Sequence, residues 1–277
     1  MKTYGSIFVL TLALTMTNAI QAQAQVAMNE SPSATKGTRP QVLPPAGCWY
    51  SFNSGTGNTN LSYCVSVNGN ILYLLTPQGH EQITPFGAEG YGVCDATAVV
   101  EYHDYAYGGD TGNWNSPTLL SQTASSLKIA RTTSDGIWTL TQTITQVAAS
   151  SSIKVAMTLK NNTAAARDVY LVRYADVSAD QKQFNNFTAT QNSVAAWNLH
   201  GLNDFSYGLQ LQNVGTPKFA YWNGFAQNIP NGPNACAFAN NSPEAVITET
   251  DGSMVMAYVD TMPAHGSKTV TLSYKGF

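Results

Sequence analysis

Hydrophobic and polar residues alternate along most of this chain with the period of two that is typical of β-strands. Every second residue is apolar in SIKVAMTLK, residues 152–160, and a similar pattern occurs in IWTLTQTIT, residues 137–145. The apolar positions are Ile153, Val155, Met157 and Leu159 in the first segment and Trp138, Leu140 and Ile144 in the second. Lysines and threonines occupy most of the other face, so each segment is predicted to be a strand that is buried on one side.

The segment DVYLVRYADV, residues 168–177, differs because it is apolar on both faces. This pattern predicts an interior strand that is covered on both sides. Arg173 lies in the middle of the segment and needs a carboxylate or carbonyl partner there. Asp176 is the partner that we expect.

Many further short strands are predicted between clusters of Gly, Pro, Asn and Asp, and no amphipathic helix of ten or more residues is predicted. These strands are at 48–52, 61–67, 71–76, 126–132, 194–199, 207–213, 218–222, 245–250, 253–259 and 268–274. The fold class expected from this succession is all-β, an antiparallel β-sandwich or its larger form, a two-sheet super-sandwich, with long aromatic-rich loops.

The first residues have the composition of a secretory signal peptide. Residues 1–24 contain a lysine, then an apolar run, and end with the small residues Ala22 and Ala24. A signal peptidase accepts this pattern, so we expect cleavage between Ala24 and Gln25 and secretion to the periplasm or the extracellular space.

The next segment, 25–46, contains four prolines among small polar residues and is predicted to be flexible. We expect one β-sandwich domain over 47–277, because about 230 residues suffice for one sizeable core.

The chain contains four cysteines, Cys48, Cys64, Cys94 and Cys236. An even number in a secreted chain favours two disulfides over free thiols, and the absence of a CxxC motif argues against zinc. Three pairings are possible on sequence alone. We favour Cys48 with Cys64, on two strands joined by a turn-rich segment, and therefore Cys94 with Cys236.

Charge is scarce. Only 10% of the residues are charged, and the net charge is −3 without a basic run. A nucleic acid is therefore not expected as a partner. No apolar run after the signal peptide is long enough for a membrane span. We expect no metal and no cofactor, and the oligomeric state stays open.

Candidate chemistry is concentrated in residues 86–117, which are interpreted as a glycine-rich loop. The segment combines carboxylates, a histidine and several aromatic rings: Glu89, Asp95, Glu101, Asp104, Asp110, His103, Tyr91, Tyr102, Tyr105, Tyr107 and Trp114. Aromatic faces beside hydrogen-bonding carboxylates are what a sugar-binding site requires. A purely structural loop, in which the acids cap turns, is the alternative.

A second aromatic loop is predicted at 221–238 and contains Trp222. A disulfide between Cys94 and Cys236 would bring the two loops side by side, because paired Cα atoms lie within about 7 Å. The residues expected to contact a ligand are Tyr91, Tyr105, Asp110, Trp114 and Trp222.

Three functions remain open at this point. The first is binding of a glycan or another hydroxyl-rich ligand. The second is a hydrolase or lyase acting on polysaccharide, which needs two carboxyls about 5 to 10 Å apart for a glycosidase mechanism. Its candidate catalytic residues are Glu89, Glu101, His103 and Asp104. The third is a structural or interaction module without a small-ligand site.

Overall fold

The computed structural model describes residues 47–84, 87–198, 206–215, 221–227, 234–237 and 246–277, with the backbone alone for 221–227 and 247. The expected signal peptide, 1–24, and the proline-rich segment, 25–46, lie outside the described residues.

The described chain is composed of β-strands and three short 3-10 turns, Gly57–Thr59, Ala148–Ser150 and Ala179–Gln181. The strands are β1 (Tyr50–Ser54), β2 (Leu61–Val65), β3 (Ile71–Leu75), β4 (Glu81–Ile83), β5 (Ala88–Asp95), β6 (Val100–Ala106), β7 (Thr118–Gln122), β8 (Ser126–Thr132), β9 (Trp138–Val147), β10 (Ser152–Asn161), β11 (Arg167–Asp176), β12 (Asn185–Thr190), β13 (Ser193–Trp197), β14 (Gly208–Asn213), β15 (Tyr221–Gln227), β16 (Val246–Thr250), β17 (Ser253–Met262) and β18 (Ser267–Gly276).

These strands form three antiparallel sheets. The largest has nine strands in the order β16-β12-β13-β14-β18-β10-β9-β8-β7. A five-stranded sheet has the order β15-β17-β11-β5-β6, and a four-stranded sheet has the order β1-β2-β3-β4. The antiparallel β-sandwich predicted from the alternating pattern is confirmed, and the four-stranded sheet adds to the two layers that were expected.

The main core follows from the alternation of side chains along the strands. In β10 the four apolar residues of the predicted buried face are fully buried, while Lys154 and Lys160 are exposed. The neighbouring strands match in register, since Val155 lies opposite Ile144 of β9 and Leu272 of β18. Residues from all three sheets join one apolar cluster, and removal of these side chains from water is the main force that holds the sheets together.

The five-stranded sheet is buried on both faces, as predicted for residues 168–177. Val169 and Leu171 of β11 face the main core, whereas Val172 and Tyr174 belong to a second apolar cluster on the opposite face. We call these the inner and the outer face of this sheet.

Two predicted loops contain strands. Residues 86–117 include β5 and β6, which pair as an antiparallel hairpin, and residues 221–238 include β15. The loop interpretation is therefore wrong for 88–95, 100–106 and 223–227, whereas the strand predicted at 218–222 is confirmed for its described residues, 221–222. The glycines of β5 hide its alternation, because Gly90 and Gly92 have no side chain to show which face they occupy.

Both disulfides join the cysteines that the sequence favoured. Cys48 is bonded to Cys64 with a Cα–Cα distance of 5.6 Å, and Cys94 is bonded to Cys236 at 4.9 Å. The second bond attaches the segment around Cys236 to the outer face of β5.

Arg173 is fully buried, and its partner is Glu89 of β5. The guanidinium lies 2.6 Å from Oε1 of Glu89. The expected pairing with Asp176 is wrong. Side chains alternate along a strand, so residues 173 and 176 point to opposite faces of β11.

The contacts of this ion pair connect all three sheets. Arg173 Nη1 donates to Oε1 of Gln142 on β9 at 2.6 Å, and the hydroxyl of Tyr274 on β18 donates to Glu89 Oε1 at 2.5 Å. The backbone N–H of Ile71 on β3 donates to Glu89 Oε2 at 2.5 Å. We call these five residues the three-sheet junction. Their hydrogen bonds offset part of the large cost of removing two charges from water.

Replacing Arg173 by methionine leaves the Glu89 carboxylate buried without its cation. We expect Arg173→Met to lower the free energy of unfolding by about 3–5 kcal/mol, measured by urea denaturation, and the double variant Glu89→Gln/Arg173→Met to recover part of that loss. Lys154→Met, at an exposed position of β10, is the control. A loss for Arg173→Met no larger than that of the control would contradict the importance of the junction.

Candidate functional site

The β5–β6 hairpin carries most of the residues that the sequence singled out and distributes them over both faces of the sheet. Tyr91 lies opposite Asp104 in the register, so both point to the inner face, as does Glu89. Glu101 and His103 alternate with these residues and point to the outer face. The predicted catalytic residues therefore do not meet on one surface.

On the inner face, Asp104 is buried and forms an ion pair with Arg131 of β8. The distance from Arg131 Nη1 to Asp104 Oδ2 is 2.6 Å, and the same nitrogen donates to the Tyr91 hydroxyl at 3.0 Å. Trp114 packs against Tyr91 and Arg131. Its ring lies 5.4 Å from the Tyr91 ring and 5.5 Å from the guanidinium carbon of Arg131. Tyr91 and Trp114 are both buried, so these contacts indicate that the two rings stabilise the fold.

Two asparagines of the turn between β2 and β3 complete the surroundings of Asp104. Asn68 Nδ2 donates to Asp104 Oδ2 at 2.8 Å. Asn70 Nδ2 donates to the backbone oxygens of Glu89 and Asp104 at 3.0 and 2.9 Å. Neither side chain was among the site residues predicted from the sequence, although Asn-Gly-Asn between two strands is a recognisable hairpin signal.

The two buried carboxyls have shifted acidities. Burial raises the pKa of Glu89, and the charge of Arg173 with the hydrogen bonds of the junction acts in the opposite direction. Burial also raises the pKa of Asp104, and the nearby charge of Asp110 raises it further, whereas the Ala106 N–H and Arg131 lower it. Each carboxyl already has an arginine partner, which favours a structural role for both.

On the outer face, Glu101 and His103 interact with each other. His103 Nδ1 lies 2.7 Å from Glu101 Oε1, and the same oxygen accepts the backbone N–H of Ala235 at 2.5 Å. The imidazole stacks on Tyr105 with ring centroids 4.5 Å apart. These contacts hold the disulfide-linked segment of Ala235 against the sheet.

Trp222 lies on β15, where its backbone pairs with Tyr258 of β17. The position of its side chain lies outside what the structure describes. Its expected role in ligand binding stays a prediction.

A concave surface is present at the end of the hairpin where Asp104 and Asp110 pair as an isolated β-bridge. This pocket has a volume of about 290 Å³. It is lined by Gly47, Trp49, Ser66, Val67, Asn68, Asn70, Leu72, Asp104, Ala106, Tyr107 and Asp110. Of the ligand-binding and catalytic residues predicted from sequence, it contains Asp104 and Asp110.

The pocket has two exposed aromatic side chains that were not among the predicted ligand-binding residues. Trp49 is 69% exposed and Tyr107 is 44% exposed. Tyr107 belongs to the aromatic-rich stretch noted in the sequence, but nothing in the sequence distinguishes exposed rings from buried ones such as Tyr105. Trp49 comes from the first residues of the described chain, 55 positions before Asp104.

No group of three or more His, Cys, Asp or Glu side chains in the parts that the structure describes is arranged to hold a metal ion. No helix there is long and apolar enough to cross a membrane.

Comparison with known proteins identifies the fold. No protein-family model matches the chain, and no curated protein matches it. A bacterial glucoamylase complexed with acarbose is 11% identical, with a TM-score of 0.54, over 88% of this chain and 35% of that chain. The chain thus spans about a third of the glucoamylase, and this similarity shows a shared β-sandwich fold.

Two solved structures of similar length superpose more loosely. A putative aldose 1-epimerase from Escherichia coli K12 is 13% identical over 82% of this chain and 99% of that chain, with a TM-score of 0.39. A galactose mutarotase-like protein from Lactobacillus casei is 9% identical over 82% of this chain and 100% of that chain, with a TM-score of 0.43.

The proximity of Asp110 to Asp104 has a measurable consequence. We expect Asp110→Asn to lower the pKa of Asp104, because the variant removes a like charge that disfavours ionisation. The titration can be followed through the carboxyl carbon of Asp104 by NMR. Asp168→Asn, an exposed change on β11, should leave the pKa of Asp104 unchanged. An unaltered Asp104 titration in Asp110→Asn would show that the two carboxyls do not interact.

Proposed function

We propose that this protein binds a glycan, or another hydroxyl-rich ligand, in the pocket that Trp49 and Tyr107 line. The observation that carries the proposal is the presence of two exposed aromatic side chains at one concave surface. Large apolar rings are usually removed from water, so their exposure beside a pocket marks a binding surface. The apolar faces of sugar rings stack well on such side chains.

The polar groups of the pocket suit the same class of ligand. The carboxylate of Asp110 accepts hydrogen bonds, which sugar hydroxyls donate. Asp104 is buried and is fixed by Arg131, Asn68 and the backbone N–H of Ala106, the last at 3.0 Å, so it holds the floor of the pocket in place. A preformed pocket loses little conformational entropy when a ligand binds.

The wider properties of the chain are compatible with this function. The fold is shared with a glucoamylase that is complexed with acarbose, a likeness that concerns the fold and not the place of a site. The two disulfides are compatible with the secretion that residues 1–24 predict. A secreted binding protein would meet glycans outside the cytoplasm. The alternative of a polysaccharide-active enzyme stays a prediction.

Alanine at either exposed ring should remove stacking area without disturbing the core. We expect Trp49→Ala and Tyr107→Ala each to weaken binding at least tenfold, which corresponds to about 1.4 kcal/mol. The ligand would first be identified by screening the secreted form of the protein against an array of oligosaccharides. The affinities would then be measured by isothermal titration calorimetry.

Phe184→Ala is the matched control, because Phe184 is 56% exposed and does not line the pocket. It should leave the affinity unchanged. Thermal unfolding of all three variants shows whether the fold is intact. The proposal is wrong if no oligosaccharide binds, or if binding survives both pocket substitutions.

A further inference from the structure

The pocket is acidic. Of the eleven described residues that line it, two are aspartates and none is Lys, Arg or His. A ligand with carboxylate, sulfate or phosphate groups would meet like charge there without a compensating cation from the lining residues. The electrostatics of the pocket therefore disfavour acidic sugars.

The polar side chains of the turn between β2 and β3 direct most of their donors at the protein itself. The amide group of Asn70 is directed at the backbone oxygens of Glu89 and Asp104, and that of Asn68 donates to Asp104. The hydroxyl of Ser66 donates to Asn70 Oδ1 at 2.8 Å. These three side chains therefore leave mainly acceptor capacity for a ligand, and the carboxylate of Asp110 adds a further acceptor.

The two aspartates differ in their partners. Asp104 is neutralised by Arg131 at 2.6 Å. Asp110 is exposed, and its Oδ1 accepts the backbone N–H of Gly112 at 2.7 Å. Within the described part of the chain, no Lys, Arg or His forms an ion pair with Asp110. Asp110 thus places an uncompensated negative charge at a pocket that also contains Trp49 and Tyr107.

A carboxylate beside aromatic rings is a favourable environment for an ammonium group. The carboxylate forms charge-assisted hydrogen bonds with it, and the electron-rich faces of tryptophan and tyrosine attract cations. An ammonium group also has three N–H donors and no acceptor, which matches the carboxylate of Asp110 and the acceptors of the turn.

We propose that the glycan recognised in this pocket carries protonated amines, as glucosamine polymers do, and that Asp110 selects the ammonium form over N-acetylated and acidic sugars. This inference rests on the proposed function of glycan binding at Trp49 and Tyr107. It adds the chemical class of the sugar and the residue that discriminates it.

The test compares three probes of equal length: hexamers of glucosamine, of N-acetylglucosamine and of galacturonic acid. Affinities are measured by calorimetry in a buffer in which the amines are protonated. We expect the glucosamine hexamer to bind at least tenfold more tightly than the N-acetylated one, and the galacturonate hexamer to show no binding. Raising the salt concentration from about 20 mM to about 300 mM should weaken the glucosamine complex, because salt screens the charge interaction.

Asp110→Asn should abolish the preference for the glucosamine hexamer, whereas Asp168→Asn, which removes an exposed charge away from the pocket, should preserve it. The second variant separates selection by Asp110 from attraction to the negative net charge of the protein. The inference is overturned if the N-acetylated hexamer binds as tightly as the glucosamine hexamer, or if Asp110→Asn keeps the preference.

The same data distinguish this failure from failure of the proposed function. If the glucosamine and N-acetylglucosamine hexamers bind equally tightly and Trp49→Ala weakens the binding of both, the glycan pocket is correct and the selection by charge is wrong. If neither hexamer binds and the oligosaccharide array is also negative, both proposals are wrong.

Discussion

The ion pair between Arg173 and Glu89 is the constraint on which the arrangement of the three sheets depends. Both side chains are fully buried, so each charge needs the other and also needs further hydrogen bonds. Those bonds come from Gln142 and Tyr274 of the nine-stranded sheet and from Ile71 of the four-stranded sheet. Apolar packing tolerates small sliding movements, whereas a buried charge with fixed partners accepts one geometry. The three-sheet junction thus specifies how the layers meet.

A second polar cluster repeats this principle nearer the surface. Asp104 of the five-stranded sheet pairs with Arg131 of the nine-stranded sheet and accepts a hydrogen bond from Asn68, between β2 and β3. The turn at 66–70 contacts both clusters, because Asn70 binds the backbone of Glu89 as well as that of Asp104. The floor of the pocket is therefore part of the contact between the sheets. A site supported in this way is formed before the ligand arrives, which reduces the entropic cost of binding.

The sequence predicted those parts of the fold in which a side chain reveals the face of its strand. β10 and β9 alternate clearly, and their apolar residues are buried as expected. The strand β5 was missed because glycine occupies two of its outer positions. These glycines are required by close packing: a Cβ at Gly92 would lie 2.6 Å from the Tyr105 hydroxyl, and one at Gly90 would collide with the backbone oxygen of Asp104. Only the folded pairing of β5 with β6 shows this need.

The sequence allows the buried polar side chains of the two clusters to be predicted, but not the residues with which they pair. Gln142 and Arg131 both occupy the apolar face of an alternating strand, a pattern that indicates a buried polar group with a partner. The identity of each partner was not accessible, because Glu89 and Gln142 lie on different sheets and far apart along the chain. The exposure of Trp49 and Tyr107 was equally hidden, since it depends on how 47–49 and the end of β6 meet around one pocket.

A crystal structure of residues 25–277 with a bound hexasaccharide would show whether the pocket built on the Asp104–Arg131 pair binds sugar. We expect a sugar ring in contact with Trp49 or Tyr107 and a sugar donor within hydrogen-bond distance of Asp110. A hexasaccharide bound instead on the outer face, near Glu101 and His103, with the pocket at Trp49 left unoccupied, would show that the proposed site is wrong.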